Sequence, residues 1–97
     1  MSKFQAGRVS ALNGGVKGWP DLFIAEPRGP FAGLYVELKK NRDEVYRKDG
    51  AMRKSPHLER QVEIHGMLRE RGYAVEWGFG VIDACKKIEA YLGQPLR

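Results

Sequence analysis

The sequence predicts a small α/β domain, with a mixed β-sheet flanked by helices. Three observations carry this prediction. Residues 33–39 alternate in hydrophobicity, with Leu34, Val36 and Leu38 on one face and Tyr35, Glu37 and Lys39 on the other. Residues 55–72 read as a capped helix, and a further strand-like run follows directly. Residues 81–92 place Val81, Cys85, Ile88 and Leu92 at three- and four-residue spacing, the stripe of an amphipathic helix.

Taken in order, residues 1–20 are small and glycine-rich. A short helix is expected over residues 9–12, and Asn13-Gly14-Gly15 is a breaker. Residues 21–25 form a short strand. Glu26-Pro27-Arg28-Gly29-Pro30 is turn chemistry, because proline fixes φ and glycine admits φ > 0. The alternating strand 33–39 comes next. Residues 41–54 are polar and irregular around Asp49-Gly50 and are expected to be a mobile loop. Ser55 is then an N-cap with Pro56 at the first helical position, and the helix runs to about Arg71 before stopping at Gly72. Residues 73–77 are a third strand, expected to be broken by Gly78 and Gly80. The second helix carries Asp83, Lys86, Lys87 and Glu89 on its solvated face and ends at Gly93. The order is strand, strand, helix, strand, helix. A strand–helix–strand unit of this kind crosses over, so residues 73–77 should lie parallel to residues 33–39.

Composition narrows the function classes. The chain has 97 residues, room for one core. Hydrophobic residues make up 42%, too many for a disordered tail. No stretch approaches the ~20 apolar residues of a membrane span, and Met-Ser-Lys-Phe-Gln lacks a signal-peptide core. A cytoplasmic protein is expected. The one cysteine, Cys85, excludes an internal disulfide and a multi-cysteine metal site, and reads as a core residue. Net charge is +5. Seven basic residues lie between Lys39 and Lys54 against Asp43, Glu44 and Asp49, while residues 1–20 hold Lys3, Arg8 and Lys17 and no acid. This distribution suits a polyanion.

The hairpin gathers the chemistry. A turn centred near residue 29 sets the index sum of opposed residues at about 58, which pairs Asp21 with Glu37. Opposed residues share a face with Cβ atoms roughly 4.5–5.5 Å apart, and Lys39 shares that face two residues on. Two carboxylates this close repel unless a cation lies between them. Mg²⁺ is commonly held by one or two carboxylates plus waters and substrate phosphate. The spacing also admits a plain reading, with Asp21 merely opening a strand and Glu37–Lys39 forming a surface ion pair. On the first helix, Leu58, Gln61, Val62, His65 and Leu68 form the stripe expected to face the sheet. Gln61 would then need a partner, since burying an unpaired amide costs on the order of 1–3 kcal/mol. The carboxylate site could supply one; the alternative is a helix-edge amide in water. His65 reads as a packed or partly exposed histidine in preference to a catalytic one.

Gly18-Trp19-Pro20-Asp21-Leu22-Phe23, then Glu37-Leu38-Lys39, then Gln61 ahead of Gly72-Tyr73, resembles the PD-(D/E)-x-K nuclease superfamily. More narrowly, residues 12–92 resemble the virus-type replication-repair nuclease (VRR-NUC) domain. The resemblance implies a restriction-endonuclease-like core. It also implies Mg²⁺ or Mn²⁺ held by Asp21, Glu37 and the Leu38 backbone carbonyl, with Lys39 orienting or activating water and Gln61 supporting the site. It further implies an endonuclease cutting branched DNA such as four-way (Holliday) junctions, as in DNA repair, acting as a homodimer and often phage-encoded. Lys17, Lys40, Arg42, Arg47, Lys48, Arg53 and Lys54 are the expected phosphate contacts. A non-catalytic basic nucleic-acid-binding module on the same fold is the alternative. One departure stands out: family members often carry a glutamate on a helix before the Pro-Asp pair, and here residues 1–20 have no acid. A single tightly held metal is therefore expected.

Overall fold

The computed structural model describes residues 16–96; the short helix expected over residues 9–12, the Asn13-Gly14-Gly15 breaker, Lys3 and Arg8 lie outside them. The described chain runs β1 (Leu22–Ile24), β2 (Leu34–Lys39), a 3₁₀ turn (Arg42–Glu44), α1 (Pro56–Glu70), β3 (Ala74–Phe79) and α2 (Gly80–Leu92). The sheet order is β1-β2-β3. β1 pairs antiparallel with β2, and β3 pairs parallel with it. The mixed sheet expected from the sequence is therefore present.

The hairpin register is Leu22 with Val36, Phe23 with Tyr35 and Ile24 with Leu34. Every pair has the index sum that the turn chemistry sets. Arg28 and Phe31 close the connection through two reciprocal backbone hydrogen bonds of 3.0 and 2.9 Å.

Alternation along β2 divides the core in two. On one face, Tyr35 and Val75 pack with Ile64 and Leu68 of α1, flanked by Trp19, Phe23, Met67 and Tyr73. On the other, Leu34 and Val36 pack with Ala84 of α2, flanked by Leu22, Ile24, Ile88 and Tyr91. The helices thus cover opposite faces of the sheet. Ser55 caps α1 by accepting from the Leu58 amide at 3.0 Å, with Pro56 at the helix start. No helix among the described residues is long and apolar enough to cross a membrane.

Five expectations are corrected. β3 does not break at Gly78. It continues to Phe79, because Gly78 is where α2 closes on the sheet: a Cβ there would sit 2.8 Å from the Ala84 Cβ. The inward stripe of α2 is Ala84, Ile88 and Tyr91, and Val81 is left 78% exposed. Cys85 is accordingly half-buried and outside the core. On α1 the buried apolar position is Ile64, with Val62 turned out. Residues 41–54 are folded: Val45 is fully buried, Arg53 N–H donates to the Val45 carbonyl at 2.7 Å, and Tyr46 bridges Met52. The polar composition concealed this because a single apolar residue anchors the segment.

Candidate active site

At the C-terminal ends of β2 and β3, the face that carries Tyr35 also presents Glu37, Lys39, Trp77 and Phe79. The parallel register sets Glu37 beside Trp77 and Lys39 beside Phe79. Asp21 reaches the same place from the mouth of β1. Its amide donates to the Val36 carbonyl at 3.1 Å, and its Oδ2 accepts from the Leu38 amide at 2.7 Å. Asp21 is thus fixed to β2 through both backbone and side chain. The approach to it is fixed too. Gly18 has φ +86°, and a Cβ there would meet Arg60 Cγ at 2.8 Å, so the segment leading into Trp19-Pro20-Asp21 lies directly on α1.

Glu37 is 3% exposed, which removes the surface ion-pair reading. Its carboxyl is hydrogen-bonded to that of Asp21. Burial, then this hydrogen bond and the neighbouring Asp21 charge, push its pKa up to about 9, against a smaller opposing pull from Lys39. In the metal-free molecule Glu37 therefore holds a proton directed at Asp21. On its other side, His65 Nε2 lies 3.1 Å from Glu37 Oε1. His65 is 2% exposed, and burial, followed by the charges of Arg69 and Lys39, lowers its pKa to about 4. The imidazole is neutral, so this contact is a hydrogen bond and not an ion pair. The arrangement that satisfies both groups is the Nε2–H tautomer donating to Glu37. Trp77 packs edge-on against His65, with ring centroids 4.8 Å apart.

The structure separates Gln61 from the role of Glu37's helix partner, which His65 fills. Gln61 is buried one turn earlier on the same face of α1, and its Oε1 has no hydrogen-bond partner. The expectation that the carboxylate pair satisfies Gln61 is not met. The reading of His65 as a packed histidine holds, but its hydrogen bond to Glu37 was not expected, because an inward histidine on an apolar stripe has no distinguishing pattern. The available signal was its position one turn beyond Gln61.

The predicted phosphate contacts Lys17, Lys40, Arg42, Arg47, Lys48, Arg53 and Lys54 are all exposed. Arg47, Arg53 and Lys54 join Lys39, Ser55 and His57 around an open groove of ≈ 470 Å³, in which four cationic side chains outnumber Asp43 and Glu44 and which runs from Lys39 to the start of α1. Lys40 faces a second depression with Leu38, Gly80 and Val81.

The polar groups suit a hard, hydrated cation. Two carboxyls share one proton that a divalent ion would displace, and a buried amide oxygen one turn from His65 is an unused acceptor. Among the described residues no three His, Cys, Asp or Glu side chains are grouped so as to hold a metal ion by themselves.

A mixed sheet between two helices thus carries this acidic pair beside a lysine at one end. No family model and no curated protein matches the chain. A solved structure described as "VRR_NUC domain protein" matches 94% of this chain at 28% identity, with a TM-score of 0.63. The chain accordingly has a VRR-NUC-like fold, and it spans 65% of the length of that neighbour.

Proposed function

We propose that this protein is a Mg²⁺- or Mn²⁺-dependent endonuclease that hydrolyses DNA phosphodiester bonds and selects branched DNA, including four-way junctions, by shape. The observation that carries this reading is the buried Glu37 carboxyl sharing a hydrogen bond with Asp21 beside Lys39. A buried glutamate facing the exposed Asp21 carboxyl is unfavourable in its charged form without a cation, and here it is retained at the edge of the groove lined by Lys39. Asp21, Glu37 and the Leu38 carbonyl would hold the metal. When bound, the ion supplies a lowered water pKa and a polarised phosphoryl oxygen.

The chain's own groups account for the rest. His65 orients Glu37 through Nε2–H and remains neutral, so it adds no charge to compete with a cation. The Lys39 ammonium stabilises the charge that develops on the phosphate and helps orient the attacking water. Gln61 Oε1 offers a further acceptor near the site. Arg47, Arg53 and Lys54 hold flanking phosphates without reading bases. Two such chains related by a two-fold axis would cut a junction at symmetric positions.

The test is a panel of linear, flapped and four-way-junction DNAs incubated with Mg²⁺, alongside Glu37→Gln. Metal-dependent cutting of the branched members, abolished in the variant, is the expected result. Tight binding with no cleavage by the natural sequence would replace this reading with a non-catalytic module on the same fold.

A further inference from the structure

Three aromatic side chains beside the site belong to neither hydrophobic core. Trp77 and Phe79 project from the same face of β3, with ring planes within 15° of parallel and centroids 6.3 Å apart. Tyr46, from the folded segment after β2, meets Phe79 edge-on at 6.2 Å. All three are half-buried, and the apolar clusters under α1 and α2 form without them. Cations are set over these rings. Lys39 Nζ lies 5.8 Å from the centre of Trp77, and Lys87 Nζ, which also pairs with Asp83 at 3.0 Å and donates to the Trp77 carbonyl at 2.6 Å, lies 4.9 Å from that of Phe79. The Arg42 guanidinium lies 4.3 Å from Tyr46 and 5.9 Å from Phe79. Rings that served only to fill space would lie among aliphatic neighbours. Here an aromatic row is interleaved with positive charge and begins at Lys39.

We propose that Trp77, Phe79 and Tyr46, with Lys39, Arg42 and Lys87, form a platform on which an unpaired stretch of DNA stacks its bases and seats its phosphates as it enters the site. The occupant follows from charge complementarity and chemistry. A duplex keeps its base faces stacked internally and offers only phosphates, so it would use the cations and leave the rings idle. An unpaired strand offers both π-faces and phosphates at short spacing, the combination that aromatic–cationic grooves recognise. The proposal rests on the nuclease reading and narrows it: the preferred branched substrate carries an unpaired segment next to the cut.

The test compares oligothymidylate of about 12 nucleotides with an abasic oligomer of equal length and charge, in EDTA so that nothing is cut. Stacking is expected to make the thymidylate bind at least ten-fold tighter and to quench tryptophan fluorescence, while the abasic strand does not quench. Phe79→Leu should lower thymidylate affinity toward that of the abasic strand and leave the abasic affinity unchanged. Should Phe79→Leu melt at a markedly lower temperature, Tyr46→Leu, outside the strands, provides the same comparison. Equal affinities for the two oligomers, or an equal loss for both in the variants, overturns the platform. The two readings fail separately. A protein that discriminates the oligomers but cuts nothing with Mg²⁺ keeps the platform and loses the nuclease. One that cuts a fully paired junction without discriminating them keeps the nuclease and loses the platform.

Discussion

Glu37 accepts a hydrogen bond from His65 and shares a proton with Asp21, and both contacts have measurable consequences. Between pH 6.5 and about 9, the folded metal-free protein keeps this proton while an unfolded chain, with an ordinary glutamate, has lost it. The folded state binds more protons, so stability falls as pH rises through this window, by at most about 1.4 kcal/mol per pH unit. Below pH 6.5, His65 acts with the opposite sign: the unfolded imidazole takes up a proton that the buried one refuses down to about pH 4. Metal-free melting temperatures should therefore decline from pH 6.5 to about 9, and Glu37→Gln should flatten that decline while abolishing cleavage and sparing DNA binding. A natural chain with no decline would show that Glu37 ionises normally. Because Mg²⁺ competes with the proton, its stabilising effect should grow with pH over the same range. His65→Ala should weaken Mg²⁺ affinity about 10–100-fold, as loss of a group that orients a ligand does. Titrating Mg²⁺ against thermal stability reads this without reference to turnover, and His65→Gln should recover part of the loss if its amide can still donate to Glu37.

The elements hold these side chains in register, and their legibility in the sequence differed for physical reasons. The hairpin was readable because a proline–glycine turn fixes the index sum, and Glu37 and Lys39 followed from strand alternation. α1 was readable because Ser55 and Pro56 announce a helix start. The faces of the helices were less readable. Val62 and Val81 are apolar but exposed, while Ala84, too small to mark a stripe, makes the close contact with the sheet. Gly78 looked like a strand break for the same reason, since its role is defined by an opposing residue distant in sequence. Gly78→Ala should accordingly cost roughly 1–3 kcal/mol through overpacking against Ala84 and Val36, and denaturant unfolding measures it. Unaltered stability would show that α2 can shift without penalty. The segment after β2 makes the corresponding prediction for binding. Arg47 lines the groove and Lys48 is exposed beside it, so neutralising both should reduce the slope of log affinity against log salt by about 1 per lost phosphate contact. An unchanged slope would remove this segment from the DNA interface.

At the scale of the molecule, one end of the sheet carries three surfaces at once. The carboxyl pair and the basic groove lie on the α1 side. On the opposite face, Leu38 is 41% exposed and lines a depression with Val81, next to Ile82, which is 74% exposed. Leu38 sits between Glu37 and Lys39 in sequence, so this apolar surface backs directly onto the site. An exposed cluster of this kind on a small charged protein is a candidate contact for a second copy, which is the arrangement the homodimer proposal needs. A two-fold contact through Leu38, Val81 and Ile82 would bring two sites close together, facing two strands of a branch point. Replacing both Val81 and Ile82 by Glu adds like charge across such an axis without touching the core, because both side chains are mostly in solvent in the monomer. The expected outcome is a shift from dimer to monomer in light scattering, with the melting temperature of the monomeric fold retained. Junction cleavage should then change from paired cuts to single nicks, since each site would act alone. A variant that stays dimeric would assign the two-fold contact to another surface. A natural chain that is already monomeric at micromolar concentration and still makes paired cuts would show that two sites need not be joined before they meet the DNA.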